Sequence, residues 1–404
     1  MSKKEEIPKG IKLLILATSI RWIGWGLGEA FIPLFLFMFS ANFLETGLLT
    51  SVFNIVFFLS IPLAGYLADN IKIKYMIIAG LMIYVLIGLG FFLAGITGAI
   101  IFVIIARGLN GLAFSLDQVG RETYIIRNSP KNKISSMFGK FDFITTFWWV
   151  LSVIIGFCLV KFLSVPIHWL LFFIAPCAII SALILSRLKE KKKKNNKDKK
   201  RILETYTQLF NNVKNFNNEL KIILFLAFII GIISSSIYFF VPISYYIDGN
   251  SLVSSAMFAL VYATPALFGK YLGKIADKKR ERIYIFSFCS IILIFIGIIV
   301  IKNYFIMLLI VFLASTIFEL LSLTNRGMLA RFADRTHLGE IDGSLNGVAA
   351  LGAIIGPALF GLSSDLIGLD KSYMIIIFIL IIVLFVIIKG LKHLKKTPKK
   401  VFNN

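Results

Sequence analysis

The sequence predicts an all-α membrane protein: twelve transmembrane helices in two pseudo-symmetric six-helix bundles, with the N- and C-termini cytosolic. Three observations predict it. The chain of 404 residues is 58% hydrophobic and only 16% charged, a composition outside the range of soluble globules. Apolar runs of about 20 residues or more, each enough to span a hydrocarbon core of about 30 Å, recur along its whole length. Its basic residues gather in alternate loops, as the positive-inside rule requires.

The runs lie near residues 13–39, 46–68, 75–95, 98–126, 134–162 and 167–186, then 220–247, 251–276, 283–301, 303–330, 339–368 and 372–391. The start, MSKKEEIPKGIK, is short and basic and lacks a cleavage site, and the first run is too long for a signal peptide. The N-terminus is therefore expected in the cytosol. Of 43 Lys and Arg residues, only Lys161, Lys302 and Lys371 fall in the loops that are then external, and Arg21 and Arg107 sit inside apolar runs. A net charge of +22 distributed this way argues against a nucleic-acid partner. External turns at 40–45, 96–98 and 247–250 are too small to form a domain.

The halves are expected as an N-terminal bundle, 1–186, and a C-terminal bundle with a basic tail, 219–404, joined by a linker, 187–218. The linker opens with KEKKKKNNKDKKR, a run too charged to pack. Beyond it Ile202, Leu203, Tyr206, Leu209, Phe210 and Val213 fall on one helical stripe, as in an amphipathic helix lying on the inner membrane surface. Cys158, Cys177 and Cys289 all lie within apolar runs. They offer neither a disulfide framework nor zinc spacing, and no metal or other cofactor is expected.

Between the second and third runs, Ile61 to Lys74 reads IPLAGYLADNIKIK. Gly65, one turn before Asp69, indicates close helix packing, and Asp69 an anion aimed at a helix N-terminus or an arginine. A second copy appears 208 residues on, where Gly273-Lys274-Ile275-Ala276-Asp277 is again followed by basic residues. The two sets of six repeat each other further, since Arg121 near the end of the fourth run answers Arg326 near the end of the tenth. Two such bundles joined by a linker are the build of alternating-access transporters.

The repeated Gly-x-(Leu or Ile)-Ala-Asp resembles the loops between helices 2 and 3, and 8 and 9, of the major facilitator superfamily. Asn70, Lys72 and Ile73 depart from the family pattern, and Lys74 agrees with it. Arg107-Gly108-Leu109-Asn110-Gly111 resembles the Arg-x-x-x-Gly element of helix 4, which that family associates with proton coupling. The resemblance implies cytosolic clamps, Asp69 with Arg121 and Asp277 with Arg326, that hold an inner gate closed, with Glu122, Arg127, Arg331 and Asp334 placed to widen these networks. It also implies that the first, fourth, seventh and tenth crossings line a central cavity while the third, sixth, ninth and twelfth face lipid. The distribution of polar residues agrees: the first set carries Trp22 and Trp25, Asn110 and Gln118, Ser234 to Ser236 with Tyr238, and Ser315 to Ser322, and the other set is almost pure Ile, Leu, Phe and Val.

An ionisable side chain at the bilayer centre costs about 2.5–3.5 kcal/mol or more, so each needs a partner or a wet cavity. The first crossing carries Arg21 and Glu29, and the fourth, running the opposite way, Arg107 and Asp117. Counting at about 1.5 Å per residue puts Arg21 level with Asp117 and Glu29 level with Arg107, which predicts two ion pairs. Successive charges on each helix are rotated by about 80°, so the second pair can lie off the cavity-facing stripe. The alternative is a pair of structural staples that never meet solute. In the second half Glu319 stands where no basic residue of the seventh crossing is level with it. Gly231 and Ser234 to Ser236, including Ser235, occupy that depth instead. Glu319 is the first candidate for a proton carrier, against a carboxylic acid held by serines. Gly352-x-x-x-Gly356-Pro357 in the eleventh crossing allows a close approach or a kink. The Gly-Pro motif that the family's drug antiporters carry in helix 5 is missing, and only Gly139 and Gly156 flank Trp148-Trp149 there.

The expected function is proton-coupled secondary active transport of a small organic solute across the cytoplasmic membrane, with multidrug-type efflux set slightly ahead of uptake of a sugar, organic acid or other metabolite. The expected partners are solute, protons and the lipid bilayer, and the chain is expected to act as a monomer. A membrane-embedded enzyme needs clustered acidic or histidine residues, whereas His168, His337 and His393 are scattered singly; a transport-dead relative is the third reading.

Overall fold

The computed structural model describes residues 7–129, 134–190, 218–278, 280–332 and 338–396. Among these residues the chain is helical throughout, with no strand. Eleven helices among the described residues are long and apolar enough to cross a membrane. The eighth expected crossing, 251–276, is helical but divided into α11 (Leu252–Ala263), a 3-10 stretch (Thr264–Phe268) and α12 (Gly269–Lys278). Pro265 explains the break, because it lacks an N–H and its ring clashes with the preceding turn. The amphipathic stripe expected at 202–213 lies outside the described residues.

Proline breaks the first crossing as well. α1 (Lys9–Glu29) stops just ahead of Pro33, and α2 (Ile32–Met38) starts over it. α3 (Phe43–Asn70) begins at a reciprocal cap: Asn42 accepts from the Glu45 backbone N–H at 2.8 Å, while the Glu45 carboxylate accepts from the N–H of Ala41 at 2.7 Å. This satisfies two orphan donors at once. α4 (Ile73–Thr97) ends on Gly98 at φ 68°, the left-handed position that glycine occupies without strain. α5 (Ile100–Asn128), α6 (Ile134–Leu163), α7 (Ile167–Phe172) and α8 (Ile174–Ser186) complete the first half.

In the second half α9 (Asn218–Ser235) passes through a π segment, Ser236–Phe240, into α10 (Val241–Ile247). Pro242 would drive its ring into the carbonyl of Tyr238 in an unbroken α-helix, and a wider π turn relieves that contact. α13 (Arg280–Val300), α14 (Tyr304–Phe332), α15 (Leu338–Ile367) and α16 (Leu369–Lys396) follow.

The chain divides into two compact units, residues 1–208 with 245–256, and 209–244 with 257–404. Within the first, α1 packs on α6 and α8, α5 on α3 and α4, and α4 on α8. Within the second, α9 packs on α15, α14 on α12 and α13, and α13 on α16. In the numbering of the expected crossings, first with fifth, second with fourth, third with fourth and third with sixth recur as seventh with eleventh, eighth with tenth, ninth with tenth and ninth with twelfth. The repeat expected from two loop motifs thus extends to helix pairing. It also reaches the core, where Ala64, Ala68, Met76 and Leu116 cluster in one unit and Leu272, Ala276, Ile283 and Leu320 in the other.

Glycine sets the closest approaches. A Cβ at Gly26 would meet the backbone of Trp149 and one at Gly156 that of Leu27, so α1 and α6 touch backbone to backbone. Their counterparts α9 and α15 do the same through Gly231, Gly352 and Gly356. Small residues allow such contacts where lipid supplies no hydrophobic drive between helices. Ser181 and Ser152 add hydrogen bonds to the carbonyls of Ala17 and Ile23, fixing α8 and α6 on α1. The outer faces of α13 and α16 carry exposed Phe286, Leu293, Phe378 and Phe385, as lipid-facing surfaces require.

Candidate functional site

α5 carries the densest group of buried charge. Asp117 Oδ2 lies 3.2 Å from Nε of Arg21 on α1, and both side chains are only 2% exposed. This is the first of the two ion pairs that helix depth predicts. The same carboxylate holds Arg121, one turn along α5, with Oδ1 at 3.1 Å from Nε. The Arg21 guanidinium lies 4.3 Å from the ring of Trp22 and 5.1 Å from that of Tyr84, and Arg121 lies 5.7 Å from Phe141. Trp25 packs edge-on against Tyr84, with centroids 5.9 Å apart. Aromatic faces therefore fix both guanidiniums and leave their in-plane donors for anions.

The second expected pair, Glu29 with Arg107, is not formed. Glu29, half-buried, accepts a hydrogen bond from Trp149 Nε1 on α6 at 2.5 Å. Arg107 turns to α3, with its Nη2 3.3 Å from the carbonyl of Thr50, its Nε 3.5 Å from that of Leu49, and its guanidinium 5.0 Å from the ring of Phe53. The rotation of about 80° between successive charges accounts for the difference. The face of α1 beside Arg21 meets α5, whereas the face bearing Glu29 meets α6, and the face of α5 bearing Arg107 meets α3. Asn110 is 3% exposed, beside Gly111, where α5 lies against the backbone of Phe53 and Phe57.

In the second unit Ser234, Ser235 and Ser236 donate their hydroxyls to the carbonyls of Gly231 and Ile232 on their own helix. Such local bonds loosen the α-helical ladder just where the π segment begins. Tyr238, inside that segment, packs 5.2 Å from Tyr262 on α11. The Tyr262 hydroxyl donates to the carbonyl of Ser234 at 3.4 Å, and its ring lies 6.4 Å from Phe318. Glu319 follows Phe318, half-buried, and its Oε1 lies 3.9 Å from where a Cβ on Gly269 would stand. Tyr262 belongs to this group although sequence reasoning passed over it. Its signal was a hydroxyl-bearing ring three residues before the helix-breaking Pro265.

At the loop end the geometry departs from the implied clamp. Asp69, 77% exposed, pairs with Arg127 Nη2 at 3.1 Å, while Arg127 Nη1 donates to the carbonyl of Ala68 at 3.3 Å. Arg121 is not its partner, because the buried Asp117 stands one turn away on the same helix and takes it. Nor does Asp69 cap α4. That role falls to Glu190, whose two oxygens accept from the N–H groups of Ile73 and Lys74 at 3.2 Å each. Gly65 and Gly273 are also corrected: a Cβ at either would meet nothing within 4 Å. The packed face of each motif is instead the one carrying the alanine just before the aspartate, Ala64 with Ala68 and Leu272 with Ala276. The side chains of Asp277 and Arg326 lie outside those described, and with them the second expected clamp. Gly356 makes its close approach to Ile232, with Pro357 buried beside it inside α15.

The sequence model of the Major Facilitator Superfamily matches residues 14–318 and 223–403. An uncharacterized MFS-type transporter of Methanocaldococcus jannaschii is 23% identical over 386 residues, 91% of this chain and 94% of its own length. Among solved structures, a POT family transporter in complex with 5-aminolevulinic acid superposes with a TM-score of 0.77 at 14% identity, over 96% of this chain and 97% of that one. The nucleoside transporter NupG gives 0.73 at 14% identity, over 95% of this chain and all of its own. A bacterial homolog of the human lysosomal transporter Spinster gives 0.74, also at 14%, over 97% and 98%. At such identities these structures share the fold.

Proposed function

Because this chain belongs to the major facilitator superfamily, a family of multi-pass membrane transporters and not of enzymes, we propose that it is a proton-coupled secondary active transporter. It moves a small organic solute across the cytoplasmic membrane by alternating access, with both termini in the cytosol and the bundles 1–186 and 219–404 as the moving parts. The observation that carries this reading is the Arg21–Asp117 pair at 3.2 Å inside two membrane-spanning helices, each side chain 2% exposed. Intramembrane ion pairs are costly, and they mark ion and solute pathways by default.

Glu29 and Glu319 are the proton-handling candidates, since each is a half-buried carboxyl within a span. Arg107, Asn110, Trp25, Ser235 and Tyr238 line the path beside them. Asp69, Arg121 and the glycine contacts of Gly356 serve the gate. Efflux of an amphipathic solute is the favoured direction because the buried groups of the first unit are aromatic and mixed in charge. Uptake of an organic acid or other metabolite is the second reading, favoured by the excess of arginine over carboxylate in that unit. A screen of solutes in proteoliposomes under an imposed pH gradient, with wild type and Glu319→Gln, tests the proposal. Gradient-driven movement that the variant loses is expected. An undiminished, still gradient-dependent rate in Glu319→Gln overturns the carrier role of that residue.

A further inference from the structure

Of the charged side chains in the spans α1 and α5 of the first unit, three arginines, Arg21, Arg107 and Arg121, are buried against one buried carboxylate, Asp117, with Glu29 half-buried. Charge surplus is concentrated at one place. Two guanidiniums share the single carboxylate of Asp117, one on each oxygen. Arg21 Nη2 is buried there without a hydrogen-bond partner. The contact of Arg21 Nε with Asp117 Oδ2 is likewise an ion pair without hydrogen-bond alignment, leaving both atoms unsatisfied. Trp22 and Tyr84 occupy the faces of that guanidinium, which leaves its edge as the only chemistry on offer. A buried charge surplus with an orphaned donor is unfavourable until an anion joins it, and guanidinium edges match the geometry of carboxylate and phosphate.

We propose that the Arg21–Asp117–Arg121 cluster is the subsite that binds an oxyanion group, carboxylate or phosphate, of the transported solute. This deepens the transporter reading and rests on it. The group reaches the cluster from the side of Arg121, whose side chain is 10% exposed, and takes up the unused donors of Arg21. Asp117 is then a competitor that occupies the two arginines when no solute is present, and the solute is an amphipathic organic anion with an apolar body against Trp22.

The test reads binding and needs no transport. The full-length protein in detergent is titrated at constant ionic strength with inorganic phosphate and, separately, acetate, following its thermal midpoint. A saturable rise in wild type that is absent in Arg21→Gln is expected, with Asp117→Asn requiring at least tenfold less anion for half of its rise. Response to phosphate alone assigns a phosphorylated solute, response to acetate alone a carboxylate, and an equal response an unselective oxyanion subsite. No rise with either anion, or the same rise in Arg21→Gln as in wild type, overturns the proposal. If Arg21→Gln does not fold, Arg21→Lys decides, since it keeps the charge and loses the planar fork of donors: a clearly weaker anion response than wild type is expected, and a rise of the same size at the same anion concentration overturns the proposal. A saturable, Arg21-dependent rise in a protein that moves no solute in proteoliposomes sinks the transport reading and leaves the subsite standing; the opposite pattern sinks the subsite alone.

Discussion

Arg121 closes onto Asp117, four residues earlier on the same helix, at 3.1 Å, and so is withheld from Asp69 in the loop between α3 and α4. Asp117 already faces Arg21, which makes it the hub of the buried charges in the first unit. Removing the hub leaves two guanidiniums without their anion. Breaking a buried pair costs about 3–5 kcal/mol, so Asp117→Asn is expected to lower the thermal midpoint by several degrees. Arg21→Gln leaves Asp117 with Arg121 and should cost far less. The double variant, Arg21→Gln with Asp117→Asn, is expected to recover part of the loss, measured by thermal unfolding in detergent at low anion concentration.

Glu29 is tied to Trp149 and not to Arg107. The charge-swapped double variant, Glu29→Arg with Arg107→Glu, is therefore expected to be no better folded than either single one. Trp149→Phe leaves the carboxylate short of a donor and should cost about 1–3 kcal/mol. A double-mutant cycle between Glu29→Gln and Trp149→Phe should show stronger coupling than one between Glu29→Gln and Arg107→Gln.

The Asp69–Arg127 pair is exposed. Asp69→Asn and Arg127→Ala are each expected to change stability by less than about 1 kcal/mol. Their small coupling should fade as salt is raised from 0.01 M towards about 1 M, where the screening length falls to roughly 3 Å. A flux defect in either variant with stability unchanged assigns the pair to the gate.

Two classes of glycine should separate cleanly. Gly65 and Gly273 face open space, and alanine there should be neutral or stabilising by up to about 1 kcal/mol through helix propensity. Gly231 and Gly356 touch backbone across α9 and α15, and alanine there should destabilise by about 1–3 kcal/mol through overpacking. Thermal midpoints of the four single variants check this.

What the sequence made legible was one-dimensional: hydrophobic length, loop charge, and the depth of Arg21 against Asp117. Depth sets the level of a charge and not the neighbour its face meets, and the rotation of about 80° between successive charges is what puts Glu29 and Arg107 at one level on faces turned to different helices. Trp149 and Glu190 escaped notice because their partners are 120 and 117 residues away, and nothing local announces such a bond. The proline runs were treated as continuous crossings because hydropathy does not register a missing N–H. The loop glycines were misjudged because the pattern that repeats, glycine four residues before aspartate, also fixes the alanines that do the packing.

The central claim, that buried charge in these spans couples solute to protons, is tested most directly by recording proton movement as solute is added to proteoliposomes carrying an internal pH dye. The account predicts a solute-triggered pH change with the wild-type chain and none with Glu319→Gln, although that variant still binds solute. Solute flux in the wild type with no accompanying proton movement would contradict it.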